Sequence, residues 1–215
     1  QGNCSSGLGV EKSLIQQCIY DVLLNDVPLE EVIIPDIAEG LDIAPATINL
    51  AGAEVELVSE MARENRLKDA VGGMRGKYDF ILIDCPPSLG RKLLGGLVMA
   101  DYVICPIKLS GYAVGGVSGM VNTIRAVQQN FNPSLKFLGV VVNEYDDSAS
   151  AKSTLQYLVS ETNCDIFNSK LRHRAPIDAA TTMGIPVDEI RNGKRSYEEL
   201  EAVYKEMLGR IKKIG

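Results

Sequence analysis

The stretch YDFILIDCPPSLG, Tyr78 to Gly90, decides the reading of the fold. Its first half, Phe80–Ile83, is an unbroken apolar run. It lacks the polar alternation of a strand with one face in water, so it predicts a strand buried on both faces. The run ends at Asp84, and Cys85, Pro86 and Pro87 then turn the chain away. A carboxylate at the end of an apolar strand is unfavourable unless a cation meets it. Asp84 is therefore the first candidate for chemistry.

Working outward, apolar strands alternate with amphipathic helices. Helical spacing runs over Val10–Leu24, a short helix or turn over Pro28–Val32, and a short strand within Gly40–Ala46. A helix is predicted over Ala51–Val71, ended by Gly72 and Gly73, and another over Leu93–Ala100. Asp101–Ile107 and Phe137–Tyr145 read as buried strands, and Cys164–Phe167 as a short one. Helices over Val114–Gln129, Ser150–Glu161 and Ser196–Ile211 separate and close them, and Thr181–Pro186 leads into a turn-rich stretch. This order predicts an α/β chain, doubly wound, with a mostly parallel sheet and helices on both faces, as one domain over 1–215. Ligands of such sheets sit at the C-terminal ends of strands, where Asp84, Pro106 and Asn143 fall.

Composition removes several function classes. The net charge of −6 argues against a surface coated with base, though not against a local basic face. No apolar run is long enough for a membrane-spanning helix, and QGNCSSGLGV has neither a basic nor an apolar leader region. It also lacks an initiator Met, so the true start is expected upstream. The cysteines at 4, 18, 85, 105 and 164 are odd in number and form no CxxC pair, which predicts reduced thiols in a cytoplasmic setting. His173 is the only histidine, so a His-based triad or a multi-His metal site is excluded. No G-x-S-x-G elbow occurs; GVSGM, Gly116–Met120, lacks its second spacing.

Four apolar residues closed by Asp84 match the second acidic motif of P-loop nucleotide hydrolases, whose aspartate holds Mg²⁺ between β- and γ-phosphates. The flanking segments LDIAPATINLAGAEVELVSEMARE (Leu41–Glu64) and NPSLKFLGVVVNEYD (Asn132–Asp146) extend the likeness. Together with QGNCSSGLGV they resemble the ParA/Soj family of partition ATPases, closely to about Asp146 and loosely beyond. The resemblance implies a deviant P-loop ATPase that binds ATP and Mg²⁺ and closes as a nucleotide-sandwich dimer. It implies sequence-independent DNA binding, stimulation by a ParB-like partner, and a nucleoid-associated place in a bacterial cytoplasm. Carried over residue by residue, it makes Asp84 the catalytic and metal-site carboxylate and Pro86, Pro87 and Ser88 the γ-phosphate-sensing loop. Gln1, Gly2 and Asn3 would follow the family's catalytic aspartate as cofactor-binding residues, with Asn3 facing the phosphates, and Asn143 would meet adenine.

Departures limit the carry-over. Neither G-x-x-x-x-G-K-[ST] nor the family's K-G-G-x-x-K-T occurs, and GGMRGK, Gly72–Lys77, is not followed by Ser or Thr. The chain is therefore expected to be an inactive fragment lacking the phosphate loop, with the first strand, first helix and second strand upstream. PIKLSGYAVGG, Pro106–Gly116, puts Lys108, Ser110 and Gly115 where the family has Gln and two Glu, and Ser148 stands for its Arg. SKLRHRAPIDAATTMGIPV, Ser169–Val187, offers Lys170, Arg172 and Arg174 to DNA phosphates, with Arg195 and also Lys194, Lys205, Arg210, Lys212 and Lys213 extending that face. Two other readings stay open. One is a non-catalytic ParA-like module that binds DNA or protein. The other is a MinD-like membrane positioner using the basic tail Ala202–Gly215 as an amphipathic anchor.

Overall fold

A computed structural model of the chain describes residues 2–56, 65–86, 91–110 and 113–214. They form two compact units, Gln1–Met99 with Thr181–Ile185, and Ala100–Ala180 with Pro186–Gly215.

The first unit opens with α1 (Asn3–Gly7), followed by α2 (Ile19–Leu24) and α3 (Leu29–Val32). Strands β1 (Ile34–Ala38) and β2 (Leu41–Ile43) pair antiparallel, and α4 (Ala53–Glu56), α5 (Arg66–Gly72) and α6 (Arg91–Met99) follow. Its core gathers Val22, Leu29, Val32, Val71, Met74 and Met99. The helix expected over Val10–Leu24 is confined to α2 plus a 3₁₀ turn at Lys12–Leu14. Asp21 accepts the Cys18 amide at 2.9 Å, and this cap starts the helix at Ile19; Leu14, inside the range expected to be helical, is 73% exposed. β1 was not expected, because Pro35 and a left-handed Asp36 (φ 52°) interrupt its pattern.

Gly184 docks back onto Gly9 in this unit. Both have positive φ, and a Cβ on Gly184 would lie 2.5 Å from the Gly9 Cα. Only two glycines allow the backbones to approach so closely.

The second unit is built on β3 (Tyr102–Lys108) and β4 (Lys136–Asn143), which run parallel from Tyr102 opposite Lys136 to Lys108 opposite Asn143. The other edge of β4 is also occupied. Val140 N donates to Asp165 O (2.8 Å), Phe167 N to Val140 O (2.9 Å) and Leu171 N to Val142 O (2.9 Å). A strand bonded on both edges and covered on both faces has no polar positions to spare, and Leu138, Val140, Val141 and Val142 are all buried. α7 (Ala113–Asn130) and α8 (Ala149–Thr162) bring Val117, Val121 and Leu158 against Cys105 and Val140. α8 starts where Ser148 Oγ accepts the Ala151 amide at 3.0 Å. α10 (Lys194–Ile214) lays Val203, Met207 and Ile211 against Leu138, Val141 and Phe167. One apolar face of α10 is thus used inside the unit, while Tyr197, Leu200, Tyr204 and Ile214 stay exposed on the helix. α9 (Ala175–Met183) is an unanticipated helix with Pro176 in its first turn, where a missing N–H does no harm.

The doubly wound α/β class holds, with parallel strands and helices on both faces of β4. One expectation is corrected. Phe80–Ile83 belongs to no strand ladder among the described residues, and Phe80, Ile81 and Leu82 are 48%, 42% and 83% exposed. Only Ile83 packs on the first unit's core. The run is composed for burial on two faces, but the described residues supply neither covering surface nor a neighbouring edge.

Candidate functional site

Asp84 sits at the exposed end of this run, with half-buried Cys85 and Pro86 after it. The N-terminal segment lies in the same corner. The Cys4 thiol is held above its ordinary value by loss of hydration and then by the negative charge of Asp84, and Cys85 is raised by the same two causes. Asp84 thus lies near enough to Cys4, within the first unit, for its charge to act on that thiol.

That segment is anchored from below. Ser5 is buried, and its Oγ accepts the Ala46 amide at 3.0 Å and faces Ala46 O at 3.4 Å. Pro45, in turn, accepts the Ile19 amide at 3.0 Å. Gly2 adopts φ 65°, and a Cβ there would strike the Ala46 carbonyl, so its place against residues 45–46 requires glycine. Asn3 opens α1 with its side chain exposed. Ser5 and Ala46 were not singled out from sequence; a serine among small residues gives no signal of burial. Gln1, Pro87, Ser88 and Tyr112 lie outside the described residues.

Asn143 ends β4 in the second unit. Its Oδ1 accepts the Glu144 amide at 3.0 Å, and the next residues form a tightly held loop. Lys108, the register partner of Asn143, pairs with Glu144 at 2.5 Å. The pair lowers Glu144 and raises Lys108 through their mutual hydrogen bond and charge. Tyr145 N donates to Leu171 O at 2.9 Å, and the Lys170 ammonium lies 5.4 Å from the Tyr145 ring centre.

The basic residues divide into two sets. Glu199 on α10 takes Arg174 through two bonds, Nη2 at 2.6 Å and Nε at 3.2 Å, and the Arg172 amide at 3.1 Å. Arg172 also pairs with Asp147. Burial pushes Glu199 up, but the Arg174 bond, the Arg172 amide and both guanidinium charges outweigh it and leave the carboxyl low. Arg210, expected on the basic face, instead clamps the carbonyls of Leu138 (2.7 Å) and Ile166 (2.8 Å) and stacks on Phe167 at 4.1 Å. Arg195 is exposed and forms no ion pair among the described residues. It is the guanidinium of the expected DNA set that a phosphate could reach without displacing a carboxylate.

Comparison with known proteins adds the following. A family model described as an AAA domain matches residues 1–137. The chain is 42% identical over 171 residues to the sporulation initiation inhibitor protein Soj of Bacillus subtilis (strain 168), covering 80% of this chain and 66% of that protein. It is 45% identical over 150 residues to the chromosome partitioning protein ParA of Myxococcus xanthus (strain DK1622), covering 70% and 53%. The chain thus spans less than two thirds of each. The crystal structure of cobyrinic acid a,c-diamide synthase from Mycobacterium smegmatis with bound ATP analog and magnesium superposes with a TM-score of 0.76 at 32% identity, over 87% of this chain and 77% of that one.

Proposed function

The chain belongs to the ParA/Soj family of partition ATPases, and from that premise we propose that it serves ATP-dependent DNA segregation, of a chromosome or a plasmid. The supporting observation is that Asp84 closes an apolar run and lies near enough to Cys4 for its charge to raise that thiol. Asp84 would hold Mg²⁺, directly or through water. Among the described residues no three His, Cys, Asp or Glu side chains converge on one point. The carboxylate oxygens of Asp84 are ligands of the type that Mg²⁺ takes beside phosphates and water. Bound there, the ion would neutralise charge on the β- and γ-phosphates. Pro86, with Pro87 and Ser88, would border the γ-phosphate, Gln1, Gly2 and Asn3 would flank it, and Asn143 would meet adenine.

Partners follow in the same reading: a second copy across the nucleotides, DNA without sequence preference, and a ParB-like protein that stimulates hydrolysis, in a bacterial cytoplasm at the nucleoid. Among the described residues no helix is long and apolar enough to cross a membrane. The 215 residues hold no K-G-G-x-x-K-T loop, so the chain alone should hydrolyse nothing.

The test is binding of a fluorescent ATP analogue with Mg²⁺, to this chain and to the same chain with its upstream coding sequence. Binding and turnover by the longer form, with turnover lost by a hundredfold or more in Asp84→Ala, is the expected result. Absence of binding in both forms refutes the nucleotide reading and leaves the non-catalytic DNA- or protein-binding module.

A further inference from the structure

The first unit also holds an open notch of about 340 Å³, formed by α2, a 3₁₀ turn at Ile48–Ala51 and α4. Tyr20, Ile48, Asn49, Gly52 and Glu56 line it. Tyr20 Oη donates to Glu56 Oε2 at 2.8 Å, which fixes the carboxylate without neutralising it. The same bond holds the Tyr20 hydroxyl above its ordinary value, so the tyrosine keeps its proton and stays a donor. Gly52 leaves the carboxylate its room, because a Cβ there would come within 3.2 Å of Glu56 Oε1. Ile48 is 67% exposed and gives the notch apolar surface.

We infer that this notch is a binding site for a lysine or arginine side chain presented by a partner protein. Such a side chain joins an aliphatic stem to a cationic head. Tyr20 and Ile48 give the stem apolar cover, and the anchored Glu56 carboxylate meets the head. Small-molecule sites bury most of their ligand's surface, which a notch lined by the exposed residues Ile48, Asn49, Gly52 and Glu56 does not do. It suits one side chain carried on a larger surface. The charge of the setting is complementary: over residues 1–99, Asp and Glu outnumber Lys and Arg by nearly two to one. The notch includes neither Asp84 nor Asn143, so the inference stands apart from the nucleotide reading.

The isotope-labelled full gene product is titrated with the acetylated, amidated peptide Ala-Leu-Arg-Leu-Ala, and with the same peptide carrying citrulline, the neutral isostere of arginine, while amide resonances are followed. Saturable shifts at Tyr20, Asn49, Gly52 and Glu56 are expected, with the citrulline peptide weaker by roughly three- to fivefold, the scale of a solvent-exposed ion pair. Glu56→Gln keeps an acceptor for Tyr20 and should bring the arginine peptide to the citrulline level at an unchanged melting temperature. Gly52→Leu fills the notch from a right-handed helical backbone that accepts a side chain, and should abolish the shifts. Glu39→Gln, at an exposed acid between β1 and β2, controls for net charge and should change nothing. Equal binding of the two peptides, shifts confined to other residues, or equal weakening by Glu39→Gln and Glu56→Gln overturns the inference. If Gly52→Leu melts lower than the parent, Glu56→Gln alone decides. The same shifts on concentrating the protein without peptide would put a second copy in the notch and overturn the partner.

Discussion

Glu199 shows how a single side chain settles the use of its neighbours. It is 16% exposed and receives Arg174 and the Arg172 amide, so neither arginine is a free cation. Its carboxyl lies below the ordinary value. A depressed carboxylate contributes stability above its unfolded value, about 4.3, and loses that contribution as pH falls through the folded value. Glu199→Gln should therefore lower the urea midpoint at pH 7, by about 1–3 kcal/mol in unfolding free energy. The difference from the parent should shrink as the pH is taken below about 4. Chemical denaturation at several pH values measures both. The sequence showed Arg172 and Arg174 in a loop, but their shared partner lies 27 and 25 residues away on α10. Local spacing carries no signal of that pairing.

At the scale of elements, β4 and the Phe80–Ile83 run have the same apolar pattern and opposite fates. β4 was legible because each thing its sequence requires is present, a bonded neighbour on either edge and helices on either face. The run at 80–83 states the same requirement without the described residues meeting it. Pattern encodes what an element needs, not whether the rest of the chain supplies it. Two predictions separate the cases. Val140→Ala, at a fully buried position, should destabilise by about 2 kcal/mol and lower the melting temperature. Leu82→Ser should change stability by less than about 0.5 kcal/mol. It should nonetheless reduce binding of a hydrophobic dye and self-association of the 215-residue chain, because it interrupts an exposed apolar edge. The reverse order would mean that Leu82 is covered. β1 was illegible for a different reason: Pro35 and the left-handed Asp36 are turn signals that the pairing of Ile34 with Ile43 overrides.

Over the whole molecule the charge balance of −6 repels DNA, so any affinity has to come from a local patch. With Arg172 and Arg174 neutralised from within, Arg195 becomes the informative test. Arg195→Glu should weaken binding to duplexes of any sequence and reduce the slope of log affinity against log salt by about 1 to 2. Arg174→Ala should instead appear as a lower melting temperature with little change in slope. Fluorescence anisotropy across a salt series decides; an unchanged slope in Arg195→Glu removes that residue from the interface.

The seam between Gly9 and Gly184 has a consequence for biosynthesis. The first unit takes in Thr181–Ile185, so its chain is not contiguous. A ribosome that has released the chain as far as Met99 has released most of the described part of that unit, yet one strip of it is still unsynthesised. Residues Ala100–Ala180, which belong to the second unit, have to emerge before the strip arrives. Completion of the first unit therefore waits on the synthesis of the second unit's Ala100–Ala180, and a chain arrested before Thr181 would leave Gly9 without the backbone that packs on it.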